Sequence, residues 1–507
     1  MTSAQICILL AIVAYLAVML GVGAWFAKKN NSVDDFYLGG RKLGPFVTAM
    51  SAEASDMSSW LLMGLPGVAY LTGMAEASWT AIGLAVGTYL NWLIVAKRIR
   101  RYSTRLDAIT VPQFFSKRWG DNRNLLAAIA AVIIIIFFIP YTASGFSACG
   151  KLFSTLFGVN YVTAMLVSAA VIVIYTVMGG FLAASFTDLV QSIIMTVALV
   201  VVLGFGVTKA GGVGAVVSNA QSMAGYLSLS TIYNPSTGGA DPYTALTIAS
   251  LLAWGLGYFG MPHILVRFMA IEDEKKLPLS RRVASVWVVI SMAVAIIIGM
   301  VGNGMSKAGA LENLADSETI IVRIANLISQ HGVLAALLAG IILAGILAAT
   351  MSTADSQLLA ASSSVSQNLV GEFFGVKLDS KKSMIVARST MVVIALIAAF
   401  MARDPNSSVF RVVSFAWAGF GAAFGPTVLF GLFWRRSNKW GALAGMITGG
   451  AMVFVWKYLI APMGGAWAIY ELLPAFIAAS IAIVVVSLLT SKPDAEVEKI
   501  FDEIKEM

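Results

Sequence analysis

The chain has 507 residues, 59% of them hydrophobic and 12% charged, with a formal charge of +8 and a mean hydropathy of +0.84. So much apolar material exceeds what one soluble core hides, and the chain reads as a polytopic membrane protein. Two cysteines, Cys7 and Cys149, exclude a disulfide framework and a cysteine-built metal site, and two histidines, His263 and His331, argue against histidine metal chemistry or a histidine proton relay.

Continuous apolar runs of about 20 residues predict an all-α protein of thirteen membrane helices. They lie at 4–27, 46–70, 77–96, 125–148, 161–179, 184–207, 244–265, 284–305, 333–355, 383–402, 410–433, 440–460 and 466–490. None shows the alternation of barrel strands. The first run has no basic residue before it and is too long for a signal-peptide core, so it counts as a span.

Most of the 34 Lys and Arg fall in alternate loops. Lys28, Lys29, Arg41 and Lys42 follow span 1, a run from Lys97 to Arg123 follows span 3, and Arg267, Lys275, Lys276, Arg281 and Arg282 follow span 7. Further groups are Lys377 to Arg388, Arg435 to Lys439, and Lys492, Lys499 and Lys505. Basic loops stay cytoplasmic, which places the N-terminus outside and the C-terminus inside a cell membrane. The excess charge then faces the anionic inner leaflet, and no nucleic-acid partner is needed.

Residues 1–490 read as one transmembrane domain, with 491–507 a short cytoplasmic tail. Of the two longer outer loops, 211–242 is rich in Gly, Ser and Asn, and 306–330 has the pattern of a short helix. In the tail, Val497, Ile500, Phe501 and Ile504 recur at helical spacing among acids, a solvated amphipathic helix.

Span 2 contains Ser51-Ala-Glu-Ala-Ser-Asp-Met-Ser-Ser-Trp60. A carboxylate near the bilayer centre costs about 2.5 to 3.5 kcal/mol, so such groups face a cavity, an ion path or a buried partner. Span 7 reads Trp254-Gly-Leu-Gly-Tyr-Phe-Gly-Met-Pro-His263, where three glycines and a proline loosen the helix. Spans 2 and 7 are five apart. Five is odd, so a repeat of spans 2–6 as 7–11, about 46–207 and 244–433, has inverted topology, and each copy opens on an interrupted helix. That pairing is the sequence signature of a secondary transporter's binding site. In span 9, Ala349, Ser352, Thr353 and Ser356 share one helical face and offer hard oxygen ligands to a small cation. A Ser/Thr stripe that bonds its own backbone or packs a helix interface reads the same way.

The segments Tyr37-Leu-Gly-Gly-Arg41, Ser55-Asp-Met-Ser58, Trp60-Leu-Leu-Met-Gly-Leu-Pro-Gly67, Trp254-Gly-Leu-Gly-Tyr258, Met351-Ser-Thr353 and Trp417-Ala-Gly-Phe-Gly-Ala-Ala-Phe-Gly-Pro426 resemble the sodium/solute symporter family, and within it the bacterial sodium/proline symporters. The resemblance runs in order from about residue 34 to residue 490. It implies thirteen spans with a five-plus-five inverted-repeat core, sodium as coupling ion and proline as substrate, with no enzymatic activity. It also implies a sodium site of the backbone carbonyls of Ala54, Met57 and Ala349 with the hydroxyls of Ser352 and Thr353, and makes Asp56 the sodium-linked aspartate. Substrate residues by the same resemblance are Ser58, Ser59, Trp60, Tyr141, Trp254, Tyr258 and Pro262. Relatives with a second cation site imply one here at Asp188, Asp355 and Ser356.

Three departures stand out. Ser59 replaces a frequent glycine, Met261 replaces a glutamine found in some proline symporters, and Glu53 stands three residues before Asp56 where a small or neutral residue is usual. The same motif set also fits a family symporter for another small solute or another cation. Without a nucleophile and base or a metal cluster, an enzyme is disfavoured, and a channel would not accumulate substrate against a gradient.

Overall fold

The computed structural model describes residues 1–27, 33–377 and 379–506. Lys28 and Lys29, two of the basic residues expected after span 1, lie outside the described residues. The membrane helices, with their continuations, are α1 (Ser3–Ala27), α2 (Pro45–Ser59), α3 (Leu65–Thr72), α4 (Met74–Arg105), α5 (Leu125–Phe157) and α6 (Tyr161–Lys209). They go on as α7 (Ala245–Gly260), α8 (Pro262–Ala270), α9 (Glu274–Lys307), α10 (Val333–Phe373), α11 (Ser380–Met401), α12 (Val409–Phe433), α13 (Lys439–Met463) and α14 (Leu472–Leu489). A helix at the end of the chain, α15, spans Ala495–Glu506.

Ten of these helices are long and apolar enough to cross a membrane, and α7 with α8, bent by 47°, makes an eleventh, against the thirteen expected. The difference lies in two regions. Between 45 and 72 the helix is interrupted at Ser58, whose φ of 50° and ψ of −170° leave the helical region, and it resumes only through a loosened turn, Trp60–Gly64. From 161 to 209 the chain runs as one 49-residue helix in which Gly180 alone, at φ 67° and ψ −171°, breaks the helical geometry. At 1.5 Å per residue that length is more than twice a hydrocarbon core of about 30 Å.

Glycines set how closely the interrupted segments pack. A Cβ on Gly87 would fall 2.3 Å from the carbonyl of Gly255, and one on Gly257 would fall 2.0 Å from Nε1 of Trp417. The glycines of α7 therefore bring backbone against α4 and an indole against α7, as small residues do between membrane helices. Leu43, just before α2, pairs with the exit of α8: its N–H donates to the Ala270 carbonyl at 3.2 Å, and its carbonyl accepts from Glu272 N at 2.9 Å. The two interrupted segments are thus tied at their ends.

The long loops differ in kind. The 211–242 loop holds a short helix, Val213–Ser222, and an antiparallel hairpin of Thr231–Asn234 with Gly239–Pro242. The 306–330 loop contains the expected helix, Ile320–Ser329. The tail corrects an expectation. Rather than lying solvated, α15 buries Val497, Phe501 and Ile504, with Phe501 5.3 Å from the Arg118 guanidinium. Arg435 ties it down from outside through Glu498 at 2.8 Å and Asp502 at 3.0 Å.

Candidate cation and substrate site

The break in α2 organises the site. A non-glycine residue at φ 50° costs of order 1–3 kcal/mol and persists only where its surroundings hold it. Here Ser58 Oγ accepts the Trp60 N–H at 3.1 Å, the Tyr141 hydroxyl donates to the Asp56 carbonyl at 2.9 Å, and the Tyr258 hydroxyl donates to Asp56 Oδ2 at 2.5 Å. Tyrosines from α5 and α7 therefore grip the last turn before the break.

The hydroxyl face of α10 meets that same turn. Ser352 Oγ lies 2.8 Å from the Ala54 carbonyl and 3.1 Å from the Ala349 carbonyl, and Thr353 Oγ1 lies 3.1 Å from the Ala349 carbonyl. Four of the five residues expected as sodium ligands are thus brought together, all of them buried. The fifth, Met57, turns its carbonyl to the Trp60 N–H at the break. These are neutral hard oxygens drawn from two helices, one of them discontinuous, the donor chemistry a small monovalent cation requires.

One helical turn away the arrangement changes. Of the residues expected to form a second cation site, Asp188 and Ser356 converge on the guanidinium of Arg267: Nη2 lies 3.1 Å from Asp188 Oδ2 and 2.6 Å from Ser356 Oγ. Nε donates to Ser51 Oγ at 2.8 Å, Nη1 donates to the His263 carbonyl at 2.7 Å, and Ser51 Oγ donates to Asp188 Oδ2 at 2.6 Å. Asp355 stands beside this cluster, with Oδ1 accepting from Ser356 Oγ at 3.1 Å. Arg267 is therefore no loop residue, as its place among the basic positions implied. It is 1% exposed, and Asp188 is 0% exposed. A buried charge persists where it is paired and its donors are met, which four acceptors do here.

The expected substrate residues divide. Trp60 and Trp254 lie 5.7 Å apart between ring centroids, and Phe410 packs on both, at 5.7 and 5.6 Å. Tyr470 stacks on Trp254 at 5.0 Å, and Trp417 donates its Nε1–H to the Trp254 carbonyl at 2.8 Å while meeting Tyr258 edge-on. Ser59 Oγ and Trp60 Nε1 are buried without a hydrogen-bond partner, so polar groups free to meet a ligand stand beside this aromatic cluster. Pro262 falls elsewhere. It heads α8 and lines a separate small cavity with His263, Arg267 and Ser356.

Sequence reasoning missed Phe410 and Tyr470, which carry no motif, and placed Trp417 in a motif without a role. It also left Glu318 in an outer loop. Glu318 is buried, where it accepts from Lys151 Nζ at 2.7 Å, Ser408 Oγ at 2.8 Å and the N–H groups of Val409 and Phe410, both at 3.0 Å. A carboxylate at a helix N-terminus satisfies orphan donors and the helix dipole together, and this one holds Phe410 over the tryptophans. Its one signal in the sequence was an acid in the 306–330 loop, where a short helix is expected.

The model of the sodium:solute symporter family matches residues 36–449. The osmoregulated proline transporter OpuE of Bacillus subtilis is 40% identical over 99% of this chain and 98% of its own. The sodium/proline symporter of Haemophilus influenzae is 42% identical over 98% and 97%, and that of Escherichia coli 42% identical over 96% and 93%. Among solved structures, a Na+-coupled sialic acid symporter in a substrate-bound outward-open state superposes with a TM-score of 0.78 at 19% identity, covering 96% of this chain and 99% of its own. A nucleobase-cation-symport-1 family transporter superposes at 0.54 with 14% identity, over 92% and 98%. These likenesses show the fold, the inverted-repeat architecture of sodium-coupled transporters, as the two interrupted segments implied.

Proposed function

We propose how this chain, which belongs to the sodium:solute symporter family, joins two fluxes: it is a sodium-coupled symporter that imports L-proline by alternating access, and it is not an enzyme. Sodium is held by the carbonyls of Ala54, Met57 and Ala349 and the hydroxyls of Ser352 and Thr353, with Asp56 fixing the broken turn in the ion's field. The observation that carries this assignment is the bond from Ser352 to the Ala54 carbonyl, which joins the two helices through the oxygens a cation would use. A bound ion ties α2 to α10, stabilises one arrangement of the transporter and so couples to the substrate.

Proline binds beside the break, near Ser58, Ser59, Trp60, Tyr141, Trp254 and Tyr258. Its ring and ammonium suit aromatic faces, and its carboxylate suits amides freed at the break. Pro262 acts at one remove, by heading α8. At the position of Asp188, Asp355 and Ser356, the guanidinium of Arg267 takes up Asp188 and Ser356 in place of a second sodium ion, and Asp355 stays beside it with Oδ2 buried and without a hydrogen-bond partner. Reading α2 with α3 as one crossing, and the halves of α6 about Gly180 as two, restores thirteen crossings. The N-terminus is then outside the cytoplasmic membrane, the basic loops and α15 are inside, and residues 1–490 form one transporter domain. Each sodium falling through 100 mV supplies about 2.3 kcal/mol, roughly a fifty-fold accumulation.

Counterflow in proteoliposomes tests the substrate and the ion together. Labelled proline should enter preloaded vesicles only with sodium, and unlabelled proline should compete better than other amino acids, sugars or osmolytes. Equal exchange without sodium, or stronger competition by another solute, would overturn the reading.

A further inference from the structure

The residues of α2 point two ways. Ser51 and the Ala54 carbonyl face Arg267 and α10, whereas Glu53 and Asp56, three apart and on one face, turn to α4 and α7. Trp92 Nε1 lies 2.9 Å from Glu53 Oε1, and the Tyr258 hydroxyl holds Asp56 Oδ2. Both donors are neutral. Among the described residues, no Lys, Arg or His bonds to either carboxyl, although Glu53 is 1% and Asp56 5% exposed. Each keeps one oxygen, Glu53 Oε2 and Asp56 Oδ1, buried with no hydrogen-bond partner.

The facing helix is unsatisfied in the same way. Thr88, Asn91 and Trp92 share a face of α4, and Asn91 Nδ2 donates to the Tyr258 carbonyl at 3.0 Å, which leaves its Oδ1 without a partner. Thr88 Oγ1 stands beside the Tyr258 hydroxyl, which donates to Asp56, and it accepts no hydrogen bond of good geometry; both Thr88 and Asn91 are fully buried. Four buried oxygens without donors therefore stand around Tyr258, two of them on carboxyl groups. Burying such a set is costly unless something positive meets it.

We propose that Glu53 and Asp56, with Thr88 Oγ1 and Asn91 Oδ1, form a second sodium site between α2, α4 and α7, on the side of α2 away from Ser352. Carboxylate, amide and hydroxyl oxygens are ligands for a hard monovalent cation. A sodium ion there would meet the two carboxylates of α2, as Arg267 meets Asp188. The proposal rests on the sodium reading of the Ser352 cluster only in making this site the second of two.

The test is the ratio of labelled sodium to labelled proline entering proteoliposomes at a fixed membrane potential. Wild type should carry two sodium ions per proline, and Glu53→Gln one. Losing one coupled charge at 100 mV lowers the limiting accumulation roughly fifty-fold. Thr88→Val, which removes one neutral ligand, should raise the sodium half-saturation several-fold, and it decides the matter if Glu53→Gln does not fold. A ratio of one in wild type, a ratio of two in well-folded Glu53→Gln, or an unchanged half-saturation in Thr88→Val would overturn the second site. A ratio of one in wild type with a raised sodium requirement in Ser352→Ala would do so while upholding the first. Proline entry indifferent to sodium would sink the symport reading itself.

Discussion

Two polar clusters join α2 to α10 one helical turn apart, and they solve the problem of buried polarity in opposite ways. Around Ala54, Ala349, Ser352 and Thr353 every group is neutral, and hydroxyls donate to carbonyls. Around Ser51, Asp188, Ser356 and Arg267 the charge is built in, and the guanidinium fills the space between the helices. In the function proposed above, the first cluster exchanges its internal hydrogen bonds for an ion and recovers them when the ion leaves. The second cannot release its cation. The same hydroxyl face of α10 thus meets carbonyls at Ser352 and Thr353 and a basic side chain at Ser356.

The largest effect should come from emptying the filled cluster. Arg267→Ala leaves Asp188 buried without its partner, and breaking such a pair costs about 3–5 kcal/mol. The variant should lose thermal stability in detergent, and sodium should restore part of it by entering the vacated position. Stability equal to wild type would break the comparison, because the guanidinium would then be incidental to the fold.

A smaller effect is expected at the neutral cluster. Ser352→Ala or Thr353→Ala removes a ligand without stranding a charge, and a hydrogen bond or ligand to a charged group contributes about 1.5–3 kcal/mol. The sodium half-saturation for proline uptake should rise roughly ten- to a hundred-fold while thermal stability without sodium changes little. Normal sodium dependence in well-expressed variants would remove these hydroxyls from the site.

The smallest effect belongs to ion pairs outside the bilayer. Arg435 and Asp502 are about half exposed, so their pairing is weak and screened by salt, unlike that of Arg267 with Asp188. Hydrogen bonding to Arg435 holds the Asp502 carboxyl below its ordinary 3.8. A lowered carboxyl value in the folded state stabilises above the ordinary value and loses that contribution as pH falls through the lowered one. Limited proteolysis of α15 should therefore be constant from pH 8 to pH 5 and quicken only below about 3.8, or in molar salt. Release of the tail near neutral pH would show that other groups hold it.

Much of this was legible in advance. The carboxylates and hydroxyls of 51–60 and the glycines of 254–260 marked the interrupted segments, since polar groups and helix breakers inside an apolar run have few physical explanations. The hydroxyl face of α10 followed from a spacing of three and four. Arg267 was misread because five basic residues between 267 and 282 look alike in charge, and only the first has Asp188 within reach. Phe410 and Tyr470 gave no signal, since one aromatic residue in an apolar run is indistinguishable from another.

By itself, then, the sequence determined the class of protein, its interrupted helices and the oxygen-bearing face of α10, because composition, helix breakers and helical period act within a turn or a span. Which of those features carry charge was decided only by the tertiary structure. Asp188 is 79 residues from Arg267, Ser51 is 216, and the two carboxyls of α2 meet neutral donors from α4 and α7. Whether a buried acid meets a basic side chain or only neutral donors depends on those distant partners, and no local pattern encodes them.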